Sequence, residues 1–449
     1  MFFPILFLFY SFFILKIHGA PLDPSSSLLP PDQDPFYQPP LGFEKEKEGT
    51  ILKIRPLPHP LAAFSRLPQN VYQVHQILYR TTDALDQPIV TVTTLIEPHN
   101  ADPSKLVSYQ LAEDRPSILC SPSYILQKDD ASKNSPWVMQ AELLLIDALL
   151  FHGWFVNVPD YEGPKSMFSV GKMNGQAILD AIRAVLVSSP TTNLLPSAKV
   201  QLWGYSGGAF VTGWAVQLKD TYAPELNIVG AAMGGTPVNL HDTLNKVNGT
   251  PYSMYIFSSI LGLSAQYEEF ANYITKVMKP EKREQLSIMQ EQCLSDAFSN
   301  QRLEDYLIEP SKSFTDDPLP KKYIDAGNLG QYEPPTIPLH LYHAANDDIV
   351  SFQQVKQLYT QWCSEEVGGG GNSIELVKDQ FSQHLMLGIT GAESAIRFMM
   401  DRFDGQPLQY KCKERTTITS LLDSGAPIAF GADLLGTFSA LLGLPIGPS

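Results

Sequence analysis

The stretch "KVQLWGYSGGAFVTGWAVQL", Lys199–Leu218, decides the fold. Its first residues alternate as a strand does, its last carry helical spacing, and Gly-Tyr-Ser-Gly-Gly stands between them. A serine at a strand-to-helix corner, with Gly204 and Gly208 two residues away on either side, has the form of a nucleophile elbow. At such an elbow the two backbones approach so closely that side chains at those two places would clash. The same reading predicts strained backbone at Ser206 and turns the Gly207 amide toward a developing oxyanion.

Working outward, strand signals occur in "VYQVHQILYRTT", "QPIVTVTTLIEP" and "SKLVSYQLAED". The helix "WVMQAELLLIDALLFHG", the strand "WFVNVPDYEG" and the helix "GQAILDAIRAVL" follow. Beyond the elbow, "NIVGAAMGG", "IPLHLYH" and "SIELVKD" add three strands. Strands alternating with helices predict an α/β fold, a mostly parallel sheet with helices on both faces. The interval from Pro237 to Thr336 is too long for a loop and helical in pattern, which predicts an inserted cap, or lid, over the carboxyl edge of the sheet.

A serine hydroxyl is a poor nucleophile at its own pKa. It needs a histidine within hydrogen-bond reach and a carboxylate to orient that histidine. In the α/β-hydrolase fold the chain order is serine, acid, histidine, each on a loop after a strand. Here Ser206 follows "KVQLW", the pair Asp347-Asp348 follows "IPLHLYHAAN", and His384 follows "SIELVKDQFSQ". The acid of such a loop precedes one arbitrary residue and then an apolar pair, so "DDIV" assigns Asp347 as the acid and leaves Asp348 to point elsewhere.

The remaining features bound what this chemistry serves. Residues 1–20, "MFFPILFLFYSFFILKIHGA", read as a secretory signal, and 21–49 as a Pro-rich arm laid over the surface. The hydrolase core is expected over 50–236 and 337–410, the cap over 237–336, and a tail or flap over 411–449. A net charge of −15 over 449 residues repels phosphate backbones, so nucleic acid is excluded as a partner while neutral substrates are unaffected. Cys120, Cys293, Cys363 and Cys412 lie far apart and read as two disulfides, with three pairings open. Asn248-Gly249-Thr250 is a glycosylation sequon. His340 and His343 lie on or beside a buried strand, and His59, His75, His99, His152 and His241 lack a partner at metal-ligand spacing, so no metal is expected. Asp160 and Glu162 in "DYEG" are expected to fix the loop beside the elbow. In "GADLLGTFSALLGLP", Leu434, Leu435, Phe438, Leu441 and Leu442 share one helical face, suited either to a core or to an apolar lid.

Over nearly the whole length after Pro35 the chain resembles the fungal secretory lipases. The resemblance is carried by "YQLAED" at 109–114, "DYEG" at 160–163, "GYSGG" at 204–208, "YAPELNIVGAAMGGTPV" at 222–238, "HAANDDIV" at 343–350 and "QHL" at 383–385. It implies Ser206 as nucleophile, Asp347 as acid, His384 as base, and Asp114 with Gly207 as the oxyanion hole. It also implies the pairs Cys120–Cys293 and Cys363–Cys412, and a tail forming a flap beside the active site. Ser351, where a proline often follows the acid loop, and Gln383, where an acidic residue often precedes the histidine, depart from the pattern. An ionised Asp114 would repel an oxyanion, so either its N–H alone contributes or an apolar site keeps its carboxyl protonated.

The expected protein is thus a secreted, extracellular α/β-hydrolase that cleaves triacylglycerols or other neutral esters through an acyl-serine, at a lipid–water interface, with no cofactor and no transmembrane anchor. A secreted serine peptidase or general carboxylesterase would share the triad. An inactive binding protein on the same fold would not keep all three triad positions.

Overall fold

Every residue of Trp154–Pro159 is buried, and so are six of the seven in Lys199–Tyr205. Strands this apolar belong at the centre of a sheet covered on both faces. The computed structural model describes residues 28–64, 67–128, 136–293, 298–311, 313–364, 373–408, 410–420 and 428–429. Its strands are β1 (Ile51–Pro56), β2 (Ala62–Ala63), β3 (Leu67–Pro68), β4 (Gln73–Thr82), β5 (Pro88–Glu97), β6 (Asp102–Gln110), β7 (Trp154–Pro159), β8 (Lys199–Tyr205), β9 (Ile228–Gly234), β10 (Leu339–Ala344), β11 (Ile374–Asp379) and β12 (Cys412–Thr417). Ten of them form one sheet in the order β1-β4-β5-β7-β6-β8-β9-β10-β11-β12, with β2 and β3 as a separate short ribbon. The β1–β4, β4–β5 and β5–β7 pairings are antiparallel; from β7 to β12 every pairing is parallel.

The helices are α1 (Pro122–Ile125), α2 (Trp137–Phe151), α3 (Gly171–Val187), α4 (Gly207–Tyr222), α5 (Leu240–Val247), α6 (Met254–Gln266), α7 (Glu268–Val277), α8 (Pro280–Glu291), α9 (Pro318–Ala326), α10 (Phe352–Cys363), α11 (His384–Thr390) and α12 (Ala392–Phe403). The two-residue period of β8 sorts them into layers. Val200 and Leu202 enter a core shared with α3 and α4, while Trp203 and Tyr205 enter a second core shared with α2 and α12. Between β9 and β10 lie α5 to α9, whose Ile256, Phe257, Ile260, Phe270 and Ile274 join the α3–α4 core. Both disulfides are formed, Cys120–Cys293 and Cys363–Cys412, with no free cysteine.

Two features add to the sequence reading. The described part of the arm, 28–49, is mostly exposed but is pinned to the body at Phe36. Phe36 is buried with Leu78, Val90 and Val92, and Arg55 stands 4.0 Å over its ring while pairing with Asp34 at 2.6 Å. One aromatic anchor among prolines leaves no periodic signal. The stretch from 411, expected as tail, begins as the edge strand β12, and β1 closes the opposite edge. "CKERTT" is polar because its residues are at most half-buried, so no apolar run marked it. The leader 1–20 and the stretch from Leu434 to Leu442 lie outside the described residues. Among the described residues no helix is long and apolar enough to cross a membrane.

Candidate active site

The elbow has the geometry its glycines demand. A Cβ on Gly204 would lie 2.2 Å from the Gly208 carbonyl oxygen, and one on Gly208 would lie 1.9 Å from that of Gln110. Ser206 itself has φ 54° and ψ −119°, a conformation costly for a residue with a side chain. Its N–H donates to the Gly234 carbonyl at 2.8 Å, which fixes it to the end of β9. Gly207 opens α4, so its N–H is among the first-turn donors that no helix carbonyl can accept. The positive end of a sixteen-residue helix therefore lies at the Ser206 hydroxyl.

Ser206 Oγ lies 2.7 Å from His384 Nε2, and His384 Nδ1 lies 2.7 Å from Asp347 Oδ2. The other oxygen, Asp347 Oδ1, accepts the N–H groups of Ile349 at 2.9 Å and Val350 at 2.7 Å, so the apolar pair of "DDIV" supplies the amides that orient the acid. Burial pushes the Asp347 carboxyl up. The charge and hydrogen bond of His384, the charge of His343 and the Val350 N–H outweigh this and bring it to about 2. His343, read as an ordinary core histidine, is buried 3.4 Å from Asp347 Oδ2, and burial lowers it to about 4, keeping it neutral. Asp348 does point elsewhere: Oδ1 accepts the His384 N–H at 3.1 Å and Oδ2 accepts the Tyr252 hydroxyl at 2.9 Å. Tyr205 donates its hydroxyl to the His384 carbonyl at 2.5 Å. At the two departures from the family pattern, Ser351 caps α10 by accepting the Gln353 N–H, and Gln383 precedes α11 without a capping bond.

Asp114, at φ 51°, sits on the loop after β6 with its carboxyl over Gly207, where a glycine Cβ would be 1.7 Å from Oδ1. That oxygen is buried without a hydrogen-bond partner. Burial pushes the carboxyl up to about 6, against the charges of Arg115 and His384. Side chains from α2, from the loop after β7 and from the loop itself hold it. Glu142 of α2 accepts the Ala112 N–H and the Tyr109 hydroxyl, both at 3.0 Å. Tyr161 accepts the Glu113 N–H at 3.2 Å and donates to the Leu111 carbonyl at 2.7 Å, and Arg115 donates to the Asp114 carbonyl at 3.0 Å. The Asp114 N–H lies toward the Glu162 carboxyl and offsets part of its burial, although neither Glu162 oxygen is in hydrogen-bond contact. Asp160 ties the adjoining loop to Ser123, accepting its N–H at 2.8 Å. None of Glu142, Tyr161 or Tyr252 carried a motif that would have singled it out.

Ser206 forms part of the wall of a cavity lined mainly by Met139, Leu145, Tyr255, Leu385 and Ile389, with Asp114, Arg115 and Glu142 as polar members. A second serine–histidine–carboxylate set exists. Ser394 Oγ lies 3.0 Å from His340 Nε2, and His340 Nδ1 lies 3.1 Å from Glu375. Ser394 donates instead to the Gly391 carbonyl, and the His340 ring is stacked between Tyr342 and Phe398. Both His340 and Ser394 are buried. Asn248 donates to both Glu304 oxygens at 2.8 and 3.1 Å and accepts the Leu303 N–H at 2.9 Å, so the sequon side chain is already engaged. Among the described residues no group of three or more His, Cys, Asp or Glu side chains could hold a metal.

A parallel sheet with a strained serine at its elbow, facing a histidine held by a buried aspartate, defines the α/β-hydrolase class. Comparison with known proteins narrows this. The secretory lipase family model matches residues 129–410. Lipase A of Arthroderma benhamiae is 37% identical over 427 residues, covering 94% of this chain and 90% of that protein. Lipase 2 of Candida albicans is 37% identical over 432 residues, covering 94% and 91%. The crystal structure of Candida antarctica lipase A in its closed state superposes with a TM-score of 0.82 at 28% identity, covering 94% of this chain and all of that one. The chain belongs to the secretory lipase family and is a carboxylic ester hydrolase of the triacylglycerol lipase type.

Proposed function

We propose that the protein is a secreted lipase that cleaves triacylglycerols through an acyl-serine, with Ser206 as nucleophile, His384 as base and Asp347 as the orienting acid. The continuous hydrogen-bonded line from Ser206 Oγ through both ring nitrogens to Asp347 carries this reading. Asp347, ionised at any working pH, accepts the Nδ1–H and so leaves Nε2 free to take the serine proton. Ser206 Oγ attacks the ester carbonyl, and the carbonyl electron pair moves to oxygen. His384 then delivers the proton to the leaving glycerol oxygen as the tetrahedral intermediate collapses to acyl-serine. Water, deprotonated by the same nitrogen, attacks the acyl carbon, and the proton returns to Ser206 as the fatty acid departs.

The Gly207 N–H and Asp114 form the oxyanion hole. The Asp114 carboxyl stands over Gly207, and burial raises it toward the neutral form that can donate. The apolar cavity beside Ser206 suits an acyl chain, and α5 to α9 act as the cap over the carboxyl edge of the sheet. The two disulfides suit an oxidising, extracellular setting.

Purified protein assayed on emulsified long-chain triglyceride, a soluble short-chain ester and a peptide amide tests the reading. Both esters should be cleaved and the amide spared, and Ser206→Ala should lose about four to six orders of magnitude on each ester. Activity above a hundredth of wild type in that variant rejects Ser206 as nucleophile. Preferential cleavage of the amide makes the protein a peptidase.

A further inference from the structure

Two side chains of the helical segment between β9 and β10 reach the loop that carries the acid. Lys246 of α5 donates to the main-chain carbonyl of Asp347 at 2.7 Å. Tyr252, just before α6, donates its hydroxyl to Asp348 Oδ2 at 2.9 Å, and Asp348 Oδ1 accepts the His384 N–H at 3.1 Å. The last bond matters because His384 is the first residue of α11, and its N–H has no helix carbonyl to use. Gln383, in the capping position, makes no side-chain cap. Asp348 therefore does for α11 what a local cap would do, from 36 residues away in sequence. On the other side Tyr205 holds the His384 carbonyl at 2.5 Å.

The imidazole must satisfy two partners at once, Ser206 and Asp347, each at 2.7 Å and on opposite ring nitrogens. A shift of its Cα shortens one bond only by lengthening the other. A misplacement of about 1 Å at such a group can cost about a hundredfold in rate. We infer that Asp348 and Tyr252 are positioning residues for the base: the helical segment sets the place of His384 through the Tyr252 hydroxyl and the Asp348 carboxylate. This rests on the triad reading above. It assigns Asp348 a part through hydrogen-bond geometry, not through its charge. An asparagine there can make both bonds, its oxygen accepting the His384 N–H and its NH₂ donating to the Tyr252 hydroxyl oxygen.

The test measures kcat and KM on a soluble p-nitrophenyl ester, together with the rate at which a p-nitrophenyl dialkyl phosphate inactivates the enzyme, since that rate reports attack by the serine. Asp348→Ala should lower kcat and the inactivation rate together by about ten- to fiftyfold, and Tyr252→Phe by about three- to tenfold, with KM within about twofold of wild type. Asp348→Asn should recover kcat to within about fivefold of wild type. Adding Tyr252→Phe to Asp348→Ala should cost no more than about twofold further, because the tyrosine acts through the aspartate. An unchanged kcat in Tyr252→Phe, multiplicative losses in the double variant, or an Asp348→Asn as slow as the alanine variant each overturns the inference. Tyr252→Phe removes one hydroxyl and decides the matter if Asp348→Ala does not fold. Ser206→Ala is run alongside. If it stays active the triad reading itself fails, whereas an inactive Ser206→Ala beside a fully active Asp348→Ala overturns the positioning role alone.

Discussion

Replacing Asp347 by asparagine tests the site at its most constrained atom. One carboxylate oxygen accepts two backbone N–H groups, from Ile349 and Val350, and the other accepts His384 Nδ1–H. An asparagine oxygen must stay on the two amides, because the reversed amide would set its NH₂ against two N–H donors. Its nitrogen then faces His384 Nδ1 as a donor. The imidazole must offer Nδ1 as an acceptor and move its proton to Nε2, where it points at Ser206 and blocks deprotonation. The imidazolium of the transition state also loses its counter-charge. Where an orienting aspartate has been replaced in this way, turnover falls by about four orders of magnitude with the geometry intact, a barrier increase of about 5.5 kcal/mol. The assay is kcat on a soluble ester, with a thermal melt to show that the fold persists and ¹⁵N NMR of His384 to report the tautomer. Turnover within a hundredfold of wild type refutes the argument. So does a crippled Asp348→Asn beside an active Asp347→Asn, which would mean the acid loop is read one residue out of register.

Three further outcomes follow from the same geometry. Gly208→Ala puts a Cβ 1.9 Å from the Gln110 carbonyl, a backbone neighbour that cannot swing aside, and should destabilise the protein by about 3 kcal/mol or more in denaturant titration; a loss below about 0.5 kcal/mol would show that the elbow has slack. Asp114 carries its proton below about pH 6, so the wild-type rate should fall as pH rises through that value, and Asp114→Asn, a neutral donor at every pH, should remove that fall; identical profiles would return the oxyanion contact to the backbone. Burial raises Asp160 and Asp147 to about 7 and Glu142 to about 8. The folded state then holds protons that the unfolded chain has lost, so stability should fall as pH rises from 6.5 to 8.5, by more than the histidines, which finish titrating in the lower part of that interval, restore. Thermal melts should show Tm dropping by about 5 °C or more over that interval, and a flat or rising Tm would mean these carboxyls are hydrated.

How much of this was legible in the sequence varied with the kind of signal. β7, β8 and α3 are buried almost throughout, so their apolar runs declared themselves. β1 and β12 sit at the sheet edges with at most half-buried residues, and partial burial leaves no period to read. Ser206, Asp347 and His384 could be proposed because each ends a strand signal in the order that one fold requires. The choice of Asp347 over Asp348 rested on the apolar pair after it, and Asp347 Oδ1 accepts the amides of that pair. The link from Tyr252 through Asp348 to His384 joins residues 96 and then 36 apart, and no local pattern announces it. The upward shift of the Asp114 carboxyl was equally out of reach, since it depends on burial supplied by several elements together.

The disulfides divide the serine from its base. Cys120–Cys293, with a sequence separation of 173, closes a ring that contains Ser206; Cys363–Cys412, with a separation of 49, closes another that contains His384. In the chain-entropy account such rings restrict the unfolded chain by about 5 and about 4 kcal/mol respectively. Chains fold from the amino end as they are made. The ring holding the nucleophile can therefore close while the residues that activate it have yet to be synthesised, and a serine without its imidazole is chemically quiet. The line from Ser206 to His384 thus runs between two separately fastened rings, joined beside it by the Tyr205 hydroxyl on the His384 carbonyl.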